Sequence, residues 1–458
     1  MTMPCLERYT AGMKLQRLVL FLLLLAGFLV SCSPGHLGSN VIAFLRDGHL
    51  WTIDPNGANA FDTVAQDTAV IGYAWSPNHQ LLAFRTLDSN FARTAEAQHI
   101  ASNPITGQVG DLATSINTIG VDGGSPIPVQ FSSSDVRFSQ PIWNTTGTRL
   151  LYRQTPKTPP SNPESVPWLV SQNDQPAGIA IKELPGSYAI PSLSYVAQQQ
   201  MALGDSDKGV FSSTLDGKTV HYLLHTPLPD HPLPATLERL LWQPAHQDVH
   251  FLYAVPAPSQ TTTNTGPLTV QLLLGTLDGQ NTILTTCTCT QFAWSPDGNS
   301  IIYSTGSNYT IFRLADHATF TITGVNGSVP YWSPDSQFLL LDGLHTLVLV
   351  QIVTKQQTLL LNDGATSENY TTEENLPTTS ALLQPVANSI WAADSRHFLF
   401  MTRNRLLWQN TALHPGKGLY TAAVDNNGHP QDPPAVVDTG NDSQPGWTYQ
   451  DANTSFLY

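Results

Sequence analysis

The chain has 458 residues, only 12% of them charged, and a net charge of −14 at pH 7. That balance excludes a phosphate-backbone partner such as nucleic acid, which needs clustered Lys and Arg. Thr, Ser, Gln and Asn carry the polarity instead, and 34 Pro with 32 Gly supply the turns that many short strands require.

At the start, Lys14 and Arg17 precede an unbroken apolar run from Leu18 to Val30. The run falls short of the roughly 20 residues that span a hydrocarbon core, and it has the form of a secretory h-region. Residues 1–31 therefore read as a signal peptide with its functional start at Met13. The run closes on Leu29-Val30-Ser31-Cys32, which resembles the bacterial lipobox. The resemblance implies a diacylglyceryl group on the Cys32 thiol, cleavage just before it and acylation of the new amine. Several acyl chains together make a stable anchor where one would not. The expectation is an extracytoplasmic lipoprotein held to the cell membrane, with 32–40 as its tether. Beyond Cys32 only Cys287 and Cys289 remain, which rules out a disulfide framework. They share one face of a strand-like stretch and could form a small ring in an oxidising compartment. The reading favoured here is a pair of buried, inert thiols.

From Val41 onward a repeat dominates. Trp75-Ser76-Pro77-Asn78, Trp294-Ser295-Pro296-Asp297-Gly298 and Trp332-Ser333-Pro334-Asp335 each lead into an apolar run. Looser copies begin at Trp143, Trp242, Trp391 and Trp447, so seven of the ten tryptophans occupy one motif position. A degenerate copy lies at Leu193. Pro presets φ, Asp caps the backbone and Gly tolerates positive φ, so the motif is a tight turn. Residues seven and nine beyond each Trp are apolar in six copies: Leu82/Phe84, Leu150/Tyr152, Val249/Phe251, Ile301/Tyr303, Leu339/Leu341 and Phe398/Phe400. Period two places both on one face of a strand, which makes each copy a hairpin. A second hairpin follows each first one, turning for example at Asp122-Gly123-Gly124, Asp216-Gly217 and Asp278-Gly279, with less regular versions at Ile179–Ile190, Tyr309–Ile322 and Leu347–Leu361.

Paired hairpins in tandem specify an all-β fold, a single β-propeller of four-stranded blades over 41–458, with eight blades expected and seven as the alternative. The motif resembles the repeat of TolB-type, WD-repeat-like propellers. Val41–Leu45 and Leu50–Ile53 read as the later strands of a blade, and Trp447 with Ser455–Tyr458 as its early strands. The two ends would thus pair and close the ring.

With blade strands ordered A to D from inside out, B–C and D–A connections emerge on one face. The long insertions, 86–115, 154–175, 254–267 and 363–389, all belong to that face, joined by Arg403–Lys417 with Arg403, Arg405, His414 and Lys417. Elaborated loops gathered on a rigid scaffold are where binding is usually built.

Searches for chemistry return little. No Gly-x-Ser-x-Gly elbow, helical His-Glu-x-x-His, Walker loop or Rossmann glycine pattern occurs. His246-x-Asp248-x-His250 and Asp205-x-Asp207-x-Gly209 read as turn and strand residues before metal ligands, and Asp297, Asp335 and Asp394 read as turn caps. The sequence therefore favours a monomeric binding or scaffolding propeller without cofactor or metal, meeting an envelope protein or glycan. The alternative is a propeller enzyme, lactonase-like or another hydrolase, with its site in the central channel.

Overall fold

The computed structural model describes residues 40–458 apart from 65–67, 78, 89–112, 134–135, 145–146, 157–167, 173–174, 181–191, 197–198, 207–208, 215–218, 225–239, 245–249, 258–268, 290, 306–307, 324–328, 344–345, 363–382, 385–389, 403–406, 410, 414–417, 441 and 448–458. Among the described residues every regular element is a strand, and no helix is long and apolar enough to cross a membrane.

The strands fall into eight antiparallel sheets. In order from first to fourth strand, sheet 1 is Asp442–Trp447, Ile42–Arg46, His49–Ile53 and Phe61–Asp62. Sheet 2 is Val70–Trp75, Leu81–Leu87, Thr114–Gly120 and Gly123–Gln130. In sheet 3 the first strand is broken into Val136–Phe138 and Ile142–Trp143, followed by Leu150–Pro156, Trp168–Gln172 and Gln175–Ala180. Sheet 4, the degenerate copy, is Ser192–Val196, Gln199–Ser206, Gly209–Thr214 and Val220–Leu224. Sheet 5 is Leu240–Trp242, His250–Pro256, Val270–Thr276 and Asn281–Cys287, and sheet 6 is Phe292–Trp294, Ser300–Thr305, Asn308–Arg313 and Thr319–Ile322. Sheet 7 is Val329–Trp332, Phe338–Asp342, Thr346–Gln351 and Gln357–Asn362, and sheet 8 is Leu383–Gln384, His397–Thr402, Gly418–Ala423 and Ala435–Asp438.

Alternation then gives each sheet two apolar faces, one for each neighbour in the chain. In sheet 1, Val41, Ala43 and Leu45 pack with Tyr73, Trp75 and Phe84 of sheet 2, whereas Ile42 and Phe44 join Trp391, Phe398 and Leu419 of sheet 8. The same relation links sheet 2 to 3, 4 to 5, 5 to 6 and 6 to 7 through separate clusters of buried side chains. Successive four-stranded sheets stacked face to face, with the last packed on the first, make a β-propeller.

The motif tryptophan ends the first, innermost strand, and the turn after it is held by its own serine. Ser76, Ser295 and Ser333 are buried, and each Oγ accepts the backbone N–H five residues on, from Leu81, Ser300 and Phe338. Asn144 and Gln243 replace the serine and accept the same kind of bond from Arg149 and His250. The fifth residue of the motif sits at positive φ in His79, Gly147, Gly298, Ser336 and Ser395, which explains the Gly of the best copy.

Several expectations are corrected. The closing sheet takes one strand from the C-terminal end and three from the N-terminal end, not two and two. Trp447 pairs with Ile42, so Ile42–Arg46 fills the second-strand place expected for Ser455–Tyr458, which lies outside the described residues. The N-terminal strand can take that place because Ile42 and Phe44 supply the same alternating apolar pair as Leu82 and Phe84. In sheet 3 the second hairpin is Trp168–Ala180, not Ile179–Ile190. Leu169 and Val170 are buried there and pair with Ala180 and Ile179. The insertion expected at 154–175 therefore contains strand at both ends. The same holds for 86–115, whose ladder runs through Leu87 and resumes at Thr114, while 254–267 begins in strand that continues to Pro256 and 363–389 includes Leu383–Gln384, which opens sheet 8. At Trp242 the partner is Phe251 and not Val249, because this copy has a longer turn. Arg403–Lys417 is not simply a loop. Leu407–Trp408 and Thr411–Ala412 form a hairpin that extends the outer edge of sheet 7, with Trp408 buried against Phe398 and Phe400. Finally, Cys287 and Cys289 are buried, as expected, but joined in a disulfide with Cα atoms 5.2 Å apart. One intervening residue on a strand end that bends into the next sheet brings them within bridging range.

Candidate functional site

Strand order fixes which ends of the sheets the long connections join. The segments 88–113, 157–167 and 257–269 run from second to third strands, and 181–191, 225–239 and 363–382 from fourth to first strands. All leave from one set of strand ends, here termed the loop end. The opposite, turn end carries the tryptophan-motif turns and the third-to-fourth hairpins, which are short apart from 424–434 in sheet 8.

Polar groups are built into the inner strands at the loop end. At the seam between sheets 8 and 1, Arg46 at the end of its strand donates from Nε to Asp442 Oδ1 at 2.8 Å and from a terminal nitrogen to Asp438. Burial pushes Asp442 up to about 7, against the pull of Arg46 and with the push of neighbouring Asp438. Asp438 is also burdened by burial, but Arg46 and the Gly440 N–H outweigh that and hold it below the ordinary carboxylate range.

In sheet 7, Asp342 ends the run Phe338–Leu341 and is 8% exposed. Among the described residues its carboxyl has no hydrogen-bond or ion-pair partner, and burial pushes it up to about 8. Burial, and then Asp342, likewise raise the Tyr331 hydroxyl. In the adjacent sheet 6, Tyr309 donates to Gln291 Oε1 at 2.6 Å, and the Gln291 N–H is accepted by Ser304 Oγ. In sheets 2 and 3, Arg85 donates to the Phe138 carbonyl, and burial lowers the Arg153 guanidinium.

The turn end is different, being saturated with local bonds. Asp297 Oδ1 accepts from Ser295 Oγ and the Asn299 N–H, Asp335 Oδ1 from Ser333 Oγ and the Gln337 N–H, and Asp394 Oδ1 from the Arg396 and His397 N–H groups. Two further bonds tie neighbouring sheets, from the Asp297 N–H to Ser336 Oγ and from the Asp335 N–H to Ser395 Oγ. These carboxylates hold turns.

Of the residues singled out in the sequence, Cys32, Arg403, Arg405, His414 and Lys417 lie outside the described residues. His246 and Asp248 do too, and His250 is engaged by Gln243, whose Oε1 lies 2.8 Å from its Nδ1. Asp205 pairs with Val210 and Ser206 with Gly209 across a hairpin, and Asp207 lies outside the described residues. No cluster of three or more His, Cys, Asp or Glu that could hold a metal occurs among the described residues. The sequence reading overlooked Arg46, Asp342, Asp438 and Asp442. Only Asp342 carried a local signal, a carboxylate closing an otherwise apolar Phe-Leu-Leu-Leu run.

No protein-family model matches the chain, and no curated protein matches it. Solved structures do. A eukaryotic initiation factor structure matches at 12% identity and a TM-score of 0.49, over 89% of this chain and 98% of the other. Oligogalacturonate lyase from Vibrio parahaemolyticus matches at 8% identity and 0.44, over 70% and 94%. TolB from Acinetobacter baumannii matches at 14% identity and 0.32, over 60% and 75%. At such identities the likeness concerns the fold alone, and propellers of that fold serve as enzymes and as binding proteins alike.

Proposed function

We propose that this chain is a membrane-anchored, extracytoplasmic propeller of the TolB-like kind, each sheet one of eight blades, that binds an envelope protein or glycan through its loop end. One observation carries the reading: the four longest connections, 88–113, 225–239, 257–269 and 363–382, all leave from the same strand ends, while most connections at the opposite ends are tight, internally bonded turns. Variable length on one side of a rigid scaffold is the architecture of a binding face. The Cys287–Cys289 disulfide supports an exported location, since cytosolic thiols are kept reduced. An anchor at Cys32 would hold the face near a surface and raise the effective concentration of a partner there. Replacing 89–112 and 363–382 with tight turns tests the proposal. Melting should stay nearly unchanged while capture of the partner by the full-length chain is lost. Capture that survives both replacements rejects this face.

Asp342 favours a second reading. A buried, unpartnered carboxyl held protonated near neutral pH beside Tyr331 is the kind of perturbed group that marks acid–base sites. If the chain is a channel enzyme, Asp342→Asn should abolish turnover without loss of fold.

A further inference from the structure

The Arg46–Asp438–Asp442 cluster sits where the ring closes, and its three side chains come from three strands that the sequence places at opposite ends. Arg46 ends Ile42–Arg46, Asp442 begins Asp442–Trp447, and Asp438 ends Ala435–Asp438 of sheet 8. Backbone pairing across this seam is interrupted, because the register between Ile42–Arg46 and Asp442–Trp447 shifts between Ala43 and Leu45. Gln444, inside the irregular stretch, has φ of +50°. The ladder there is irregular, as it is in several other sheets, and here an ionic cluster spans it.

We propose that this cluster is a proton-dependent latch on the ring: one proton held on Asp442, beside Asp438, keeps the seam shut, and its loss loosens the pairing of the first and last strands.

The geometry calls for one proton in the cluster. One guanidinium faces two carboxylates, with Arg46 also stacked 5.0 Å from the Phe44 ring and 5.2 Å from the Trp51 ring. Arg46 and the two aspartates are joined by ion pairs across the seam. Asp47 follows Arg46. Opposite Arg46 on the next strand, His49 is raised above its ordinary value by its bond to Asp62, so it also loses stability as pH rises. His49→Gln removes that contribution from every arm of the test. The Asp442 side chain is 1% exposed, and its Oδ2 is buried without a hydrogen-bond partner. Two buried carboxylates in contact with one cation leave a net negative charge out of water unless one of them is protonated. Asp438 is 19% exposed and takes the Gly440 N–H, so it is the one that stays ionised, and the proton belongs on Asp442.

The direction of the pH effect follows. Asp442 is raised by burial from its ordinary value of 3.8 to about 7, so the folded seam keeps a proton that an opened seam releases. Its stabilising contribution is full below about 3.8 and is lost as pH climbs through about 7. Asp438 has the opposite shift, so its contribution is lost only as pH falls below the ordinary carboxylate range, and it does not oppose the effect between these limits.

Hydrogen exchange of the full-length chain between pH 5 and 8 tests the latch, after correction for the intrinsic pH dependence of exchange. Opening of the amides in 42–46 and 442–447 should increase roughly fivefold to tenfold per pH unit between 5 and 7 and then level off, while Ser300–Thr305 in sheet 6 stays flat. Asp442→Asn should flatten the seam response. Should that variant fold poorly, Asp438→Asn keeps the question open to test: with Arg46 left to Asp442 alone, the rise should move to lower pH. A seam response no different from that of sheet 6, or one unchanged in both variants, overturns the latch.

Discussion

The indole of Trp391 donates its N–H to the carbonyl of Tyr331 at 3.0 Å, and Tyr331 is the residue directly before Trp332. The same bond recurs from Trp75 to Gly446, from Trp143 to Ala74 and from Trp294 to Leu241, each acceptor directly preceding the tryptophan of the sheet before. The repeat thus encodes two things at once: a turn within its own sheet and a hydrogen bond to its neighbour. Among the described residues, the indole nitrogens of Trp242, Trp332 and Trp447 are buried without an acceptor.

That difference makes a matched pair of substitutions informative. Trp391→Phe and Trp332→Phe remove similar volume, but only the first breaks an inter-sheet bond, so it should cost about 1 kcal/mol more in denaturant unfolding. Equal costs would mean that the indole bond contributes nothing beyond packing.

Ring closure makes the C-terminal strand structural. Trp447 is 1% exposed within the cluster shared by sheets 1, 7 and 8. Trp447→Ala should therefore destabilise the body by roughly 3–5 kcal/mol. Ending the chain at Asn441 should do more, because it removes the strand paired to Ile42–Arg46. A truncated chain that melts like the intact one refutes closure through these strands.

The fold was legible because the repeat combines a turn signal with a two-residue apolar period, and both act locally. The one-plus-three closure was not legible. Ile42–Arg46 reads equally well as a second or a third strand, and only its pairing with Trp447 decides. Sheet 3 misled for a related reason. Its second hairpin begins within the Pro-rich stretch read as insertion, where Trp168-Leu169-Val170 carries the strand signal. The ionic seam was hidden for a different reason: Arg46, Asp438 and Asp442 are ordinary surface residue types in sequence, brought together only by the ring.

A buried acid should be visible in the stability profile. Asp342 is raised by burial to about 8, so the folded state holds its proton where the unfolded chain releases it. Stability from this group is full below its ordinary value and declines as pH rises toward about 8, by at most a few kcal/mol. Asp342→Asn should remove that part of the slope in thermal melts between pH 5 and 8. A variant with the full wild-type slope would show that Asp342 is ionised at neutral pH.

The disulfide gives a compartment test. Alkylation of the denatured, unreduced chain isolated from its native host should leave Cys287 and Cys289 unlabelled, and mass spectrometry should find their peptide lighter by two hydrogens than its reduced form. Quantitative labelling of both would place them as thiols and remove this support for export.

The functional claim is tested most directly by where the molecule touches its partner in the living cell. A photo-crosslinking residue can replace Phe131 or Thr439, exposed at the loop end, or Asn299 or Lys355, exposed at the turn end. The account predicts that the first two capture one discrete partner and that the second two capture none. Crosslinks confined to Asn299 and Lys355 would contradict it.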